Sequence, residues 1–326
     1  MQSWGIRFEG GKPKLEPREA AQPVPGRGEM LVRVRAASLN RGEFISRAGL
    51  HGDTVELKPA GAEAAGEIVA LGEGVAGWRI GDRVMGRARG GFADYSVIDA
   101  REAMTKPDAL SWEEAAAIPL VFLVVYDMLV AQGHLARDEW LLVTGISSGV
   151  GVAALQTGKL LGARVIGTSG SAAKLERLRA LGLDVALQTR SGDFVDDVLK
   201  ATGGRGVDLA VNTVGGSVFS ACMRALAFQG RLATVGYIDG VAASEIDLDA
   251  LHAKRLHLFG VSNKLRNAAQ RAETVAGFKR DILPAFAEGR LRPLIDRVFP
   301  VAKLPSALDY MESNAHLGKI VARWPD

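Results

Sequence analysis

Between residues 141 and 261 the chain swings repeatedly from a short apolar run to a helical period and back. LLVTG leads into VAALQTGKLLG, ARVIGTS into AAKLERLRALG, DVALQ into FVDDVLKATGG and VDLAVNTV into VFSACMRALAF. RLATVGY then passes through a longer connection into HLFGV. Strand and helix in strict alternation have one well-populated solution. It is a parallel, doubly wound sheet with helices on both faces, joined by right-handed crossovers. No other stretch restricts the fold as much.

The flanks read differently. Residues 1–120 are rich in Gly, Val and turn signals. MLVRVRAASLN, GEIVALG, DRVMG and FADYSVID read as short strands parted by PVPGRGE, GEGVAGWRIGD and GRARGG, as in a twisted, barrel-like β domain. After the alternating zone, ETVAGFKRDILPAFAEG reads as one helix. DRVFPV and GKIVARW read as strands that return to the first domain. The expected organisation is therefore residues 1–120 with 265–326 as one domain, interrupted by a second over 121–264.

The joint TGISSGVG lies between the first strand and helix of the alternating zone. A helix start presents unpaired N–H groups and the positive end of its dipole. A diphosphate fits there if the backbone comes close, which requires residues without bulk. Gly145, Ser147, Ser148, Gly149 and Gly151 supply that surface. The turn departs from G-x-G-x-x-G: with Gly151 as the last glycine, Ile146 and Ser148 occupy the first two glycine places. A tight strand–helix connection would use similar residues, and it is the surrounding alternation that makes this a dinucleotide site.

The next strand ends in Gly167, Thr168, Ser169, Gly170 and Ser171, with no carboxylate before Glu176. An enzyme using NAD usually places Asp or Glu there for the ribose 2′-hydroxyl. Hydroxyls followed by Lys174 and Arg177 suit a 2′-phosphate instead, so NADPH is the expected cofactor. The same two cations would also solvate a helix face.

Composition excludes several other classes. Forty Lys and Arg oppose 37 Asp and Glu, with no basic run, so a nucleic-acid partner is not expected. No span of about 20 apolar residues suits a membrane. AAAIPLVFLVVYDMLV comes nearest, but Pro119 and Asp127 make it a buried helix. The N-terminus lacks the apolar core of a signal peptide, and Cys222 is the single cysteine. A reducing, cytoplasmic setting follows as an expectation.

Together, SLNRGEFISRAG, GAEAAGEIVALGEGV, GDRV, GGFADYSV, AAAIPLVFLVVYDML, SGVGVAALQ, NTVGG and GKIV carry a resemblance over essentially the whole chain. The sequence resembles the medium-chain dehydrogenase/reductase superfamily. Within it, it is similar to the zinc-independent quinone oxidoreductase (zeta-crystallin-like) branch. The resemblance implies an α/β protein: a GroES-like, β-rich catalytic domain plus a Rossmann domain, with NADPH in the cleft. It also implies hydride transfer to quinones or activated C=C bonds, and a homodimer.

The alcohol dehydrogenases of that superfamily hold zinc with a thiolate after the early strand and the histidine of a G-H-E motif. Here Asn40 stands in the first region and Ala62 in the second. The lobe of four cysteines is absent, and His51, His134, His252, His257 and His316 are scattered. No metal is expected from such a donor set.

Other roles follow from the resemblance. Ser148, Gly149, Val150 and Gly151, with Ser147, match the diphosphate turn. Ser169 and Lys174, beside Thr168 and Gly170, match positions that meet the 2′-phosphate. Thr189 stands where relatives often carry a Tyr near the adenosine phosphate. Asn212 resembles a cofactor-side Asn, although an Asn before glycines also shapes turns. Val235, Gly236 and Tyr237, then Phe259, Gly260 and Val261, end later strands where contacts to nicotinamide are expected. Ile45 and Val124 replace hydroxyl residues of many relatives, so Val124 offers the cofactor hydrocarbon.

Two residues are the catalytic candidates. Asn40 would hold the nicotinamide ribose or polarise a carbonyl, or else cap the helix after it. Tyr237 follows a strand end and would face the cleft. Tyr126 and Cys222 read as core. So thin an acid–base inventory favours a small-molecule acceptor that is already electrophilic, a quinone or enone. Two alternatives stand beside it. One is enoyl thioester reduction, with Lys264, Arg266 and Arg271 meeting a carrier phosphate or merely solvating a helix. The other is a non-catalytic NADPH-binding sensor or accessory protein. Loops near 45–60 and 237–275 are expected to shape the acceptor pocket.

Overall fold

A computed structural model describes residues 1–45 and 56–325 of the chain. His51 and much of the 45–60 loop lie outside the described residues. The chain divides into two units, Met1–Leu123 with Lys264–Asp326, and Val124–Asn263.

The second unit holds one six-stranded sheet, parallel throughout. Across it the strands run Val185–Gln188, Arg164–Ser169, Trp140–Thr144, Val207–Asn212, Leu226–Thr234 and His257–Gly260. Helices cover both faces of such a sheet, so its strands are apolar almost without alternation. Leu141, Leu142, Val143, Leu209, Ala210 and Val211 are fully buried. The helix Gly216–Arg224 stops earlier than VFSACMRALAF suggests. Leu226, Ala227 and Phe228 already belong to the next strand, where sheet pairing overrides helical propensity. Strand order reverses between Trp140–Thr144 and Val207–Asn212, the position at which open α/β sheets bind ligands beyond their carboxyl ends.

The first unit is built on Glu29–Ser38, which pairs antiparallel with Glu63–Leu71 and Tyr95–Asp99. Arg83–Arg87 and Ala103–Thr105 extend the sheet on the far side of Glu63–Leu71. On the other side the tail returns: Lys319–Arg323 pairs antiparallel with Glu29–Ser38 and parallel with Ile295–Pro300. Leu304, Leu308, Ile320 and Trp324 join Ile6, Met30, Val32 and Phe92 in one apolar cluster. A hairpin of Gln2–Glu9 and Lys12–Glu19, not evident in the sequence, pairs with Lys58–Pro59. Gly10 and Gly11 both take positive φ, +58° and +76°, as a two-residue hairpin turn of the right twist demands.

The expected helix over ETVAGFKRDILPAFAEG is two helices, Ala268–Asp281 and Leu283–Ala287. Pro284 has no N–H to continue the first, but it suits the opening turn of the second. AAAIPLVFLVVYDMLV is buried, as Val121–Tyr126 and a wider turn over Asp127–Ala131. Among the described residues no helix is long and apolar enough to cross a membrane.

Candidate functional site

In the second unit, the expected residues gather at the carboxyl ends of the strands. Gly145 takes φ +62°, which turns the chain sharply out of Trp140–Thr144. Ser148 caps the helix Gly149–Leu160, its hydroxyl accepting from the Gly151 amide at 3.0 Å. Gly149 and Val150 open that helix, where N–H groups have no partner in the preceding turn. A Cβ on Gly151 would stand 2.6 Å from the Ile146 Cα and carbonyl, so a side chain there would force turn and helix apart. Ile146 departs from the glycine pattern without harm because it is fully buried, packed against Gly167.

Hydrogen bonds lace neighbouring strand ends together. Ser169 Oγ donates to Ser147 Oγ at 3.3 Å, and the Gly145 amide donates to Thr168 Oγ1 at 3.3 Å. The Thr189 amide donates to the Ser169 carbonyl, the Val235 amide to Asn212, and the Val261 amide to Thr234. Gly236 is half-buried, Phe259 half-buried and Gly260 exposed. Tyr237 is 45% exposed. Val124 is half-buried.

Three of the expected residues make local bonds of their own. Asn212 is fully buried and forms a turn: its Oδ1 accepts from the Val214 and Gly215 amides, both at 3.0 Å, and its Nδ2 donates to the Gly215 carbonyl. Thr189 Oγ1 donates to Asp193 and accepts from the Ser191 amide, so its hydroxyl is committed to its own loop. Lys174 contributes its backbone amide to the Ser171 cap, at 3.4 Å. A second cation, Arg190, also lies at this strand end. Its side chain crosses Gly170 so closely that a Cβ there would lie 2.1 Å from Nε. Ser169 pairs with Gln188 in register, which puts Arg190 two residues beyond the neighbouring strand end. Sheet order, not proximity in sequence, was the signal. Cys222 is fully buried, and burial pushes its thiol up to about 12, which leaves it unreactive.

The first unit carries a buried network centred on Glu63. This side chain is fully buried and its Oε1 takes bonds from Ser38 Oγ, Asn40 Nδ2 at 2.8 Å and Lys319 Nζ at 3.0 Å. Its Oε2 accepts from the Leu120 amide at 2.7 Å. Lys319 Nζ also donates to Asn40 Oδ1 at 2.7 Å. Both ends of the Asn40 amide are thus engaged inside the unit, and it makes no capping bond to the single turn Arg41–Phe44. Glu43 stands beside it, accepting from Asn40 Nδ2 at 3.3 Å and from the Gly61 amide at 3.2 Å. Burial first, and Glu63 second, push the Glu43 carboxyl up to about 8, so it keeps its proton at neutral pH. A cavity of about 450 Å³ opens on Glu43, Arg87 and Arg271 among others. Arg271 does not solvate its helix: it is turned to Glu102, at 2.8 Å.

Zinc does not suit this donor set. Ala62 offers no ligand, and the ammonium of Lys319 already sits on Glu63 and Asn40. Among the described residues, no sulfur or imidazole joins them in the network.

A sheet of this order with a small-residue turn at its switch point defines a dinucleotide-binding oxidoreductase fold, joined here to a β-rich unit of GroES type. The comparisons agree. Residues 26–108 match the alcohol dehydrogenase GroES-like domain and residues 149–275 the zinc-binding dehydrogenase domain. The human synaptic vesicle membrane protein VAT-1 homolog is 30% identical over 326 residues, covering 95% of this chain and 82% of that protein. The chain belongs to the medium-chain dehydrogenase/reductase superfamily. Among solved structures, mycobacterial Rv1454c complexed with NADPH is 26% identical, with a TM-score of 0.88 over 99% of this chain and 100% of that one. A mycobacterial quinone oxidoreductase is 27% identical, with a TM-score of 0.85 and the same coverage. The CurK enoyl reductase is 26% identical, with a TM-score of 0.83 over 99% of both chains.

Proposed function

We propose that the chain is a zinc-independent reductase that uses NADPH to reduce a quinone or another activated enone. The observation that carries the reading is the end of strand Arg164–Ser169: hydroxyls and glycine without a carboxylate, under the guanidinium of Arg190. Such a site favours a 2′-phosphate over a bare ribose hydroxyl. The NADPH bound to mycobacterial Rv1454c supports it.

NADPH, when bound, supplies the hydride. Residues of this chain do the rest. The first turn of Gly149–Leu160 holds the diphosphate, and Ser169 with Arg190 holds the 2′-phosphate. Ser147 and Thr168 fix the spacing between the two strand ends. Asn40, clamped by Lys319 and Glu63, acts as a positioning residue. The acceptor would gain that hydride together with one proton from water. Catalysis rests on proximity and orientation. The homodimer belongs to the same proposal: His257–Gly260 is an edge strand of the sheet, free to pair with a second copy.

Enoyl thioester reduction is the second reading, supported by the likeness to CurK enoyl reductase. The test is NADPH oxidation, followed at the nicotinamide absorbance, against panels of quinones, enones and enoyl thioesters, with NADH in parallel. Turnover with NADPH on quinones or enones is the expected result. A clear preference for thioesters selects the second reading. Tight NADPH binding without turnover on any panel would leave a sensor or accessory protein.

A further inference from the structure

The charges that line the cavity of the first unit have ion-pair partners, Asp99 with Arg101 from outside the lining, except at one residue. Arg89 pairs with Glu29, Arg271 with Glu102 at 2.8 Å, and Asp99 with Arg101 at 2.7 Å. Glu43 lines the same space as a neutral acid at pH 7. Arg87 is left over. It ends the strand Arg83–Arg87, its Nη1 is buried without a hydrogen-bond partner, and among the described residues it has no ion pair. Burial first and Arg271 second push its guanidinium below the ordinary range, against the pull of Glu102. A partly buried guanidinium lacking an acceptor is costly, and its cost falls when an anion fills the gap.

We propose that Arg87 is the anchor for a carboxylate carried by the acceptor, so that the enzyme selects acidic enones over neutral ones. This inference rests on the reductase reading. The planar fork of Arg matches a carboxylate with two parallel bonds. One unmatched positive charge balances one negative charge. A phosphate dianion would face the surrounding Glu29, Asp99 and Glu102 with half its charge uncompensated. About 450 Å³ accommodates a small ring with an acidic side arm. Glu43 ties the cavity to Asn40, so the anchor shares the neighbourhood of the positioned amide.

The test compares benzoylacrylic acid with its methyl ester, under NADPH, at matched ionic strength. In the wild type, kcat/KM is expected to favour the acid by tenfold or more, chiefly through KM. In Arg87→Met the ratio of acid to ester should fall to about one, and Arg87→Lys should keep part of it. A wild-type ratio of one or less overturns the inference, as does a ratio that survives Arg87→Met. The wild-type ratio needs no variant to fold. Calorimetry with benzoylpropionic acid and its methyl ester reads the anchor without turnover. Acid binding alone, with no reduction of any acceptor, keeps the anchor and sinks the reductase reading. Equal binding of acid and ester sinks the anchor alone.

Discussion

The two units bury their polar groups in opposite ways. In the second unit the buried polar side chains are neutral: Thr144, Thr157, Thr168, Ser169, Asn212 and Thr213. In the first, Glu43, Glu63, Glu102, Lys106 and Lys319 are buried. A neutral hydroxyl or amide with a partner contributes about 1 kcal/mol and tolerates small errors of placement. A buried ion must be matched, because removing its partner leaves an uncompensated charge. The contrast teaches which unit depends on matched charge. The buried polar groups of the second unit hold no charge that needs a partner, whereas those of the first depend on pairs such as Glu63 with Lys319.

The largest expected effect strikes the ionic side. Lys319→Met should destabilise the protein by about 3–5 kcal/mol in urea denaturation, because Glu63 loses its counter-ion. Adding Glu63→Gln should restore more than half of that loss. No rescue would mean that the pair is not what makes the first unit sensitive.

The next effect appears in pH. Glu43 faces Asn40, Glu63, Lys319 and the Gly61 amide, and its carboxyl is raised from 4.5 to about 8. The folded chain therefore binds a proton that the unfolded chain has released. This stabilisation is complete below 4.5 and declines as pH rises through 8, by at most about 1.4 kcal/mol per unit. Glu43→Gln should flatten that decline, so its melting temperature should gain on the wild type from about pH 5 to pH 8 and gain little more above that. Parallel profiles would remove the pH sensitivity assigned to this unit.

On the other side, Arg190→Ala should weaken NADPH binding by about tenfold to a hundredfold and leave NADH nearly unchanged, as read by fluorescence titration. An equal loss for both would place Arg190 away from the phosphate. The smallest effect should come from Thr213→Val. Its Oγ1 donates to the Thr144 carbonyl at 2.7 Å within the neutral core. A cost of about 1 kcal/mol, constant from pH 6 to pH 9, would confirm that this unit carries no titrating core. A pH-dependent cost would erase the contrast.

The neutral side was the more legible in the sequence. Its strands are apolar throughout, and its turn chemistry is local, so LLVTG and TGISSGVG announce their own structure. Arg190 escaped because it reaches Gly170 through sheet order, and that order is not written in any short stretch. The ionic side was harder to read. Glu63 and Lys319 are 256 residues apart, and neither has a local pattern that names the other. Asn40 stood out as a polar residue, yet its bonds to a different strand and to the tail, to Glu63 and Lys319, were not legible. Arg87 gave no signal at all, since an arginine at a strand end looks like any solvated one.

The same separation has a bearing on biosynthesis. At about 5–20 residues per second, a ribosome needs roughly 13–50 seconds to get from Glu63 to Lys319. The six parallel strands can be complete, and folded, well before then. The first unit meanwhile waits with a glutamate lacking its lysine and with the Ala36–Ser38 end of its central strand short of one partner. The fold of the first unit is thus completed only when a strand made 256 residues after Glu63 returns to it.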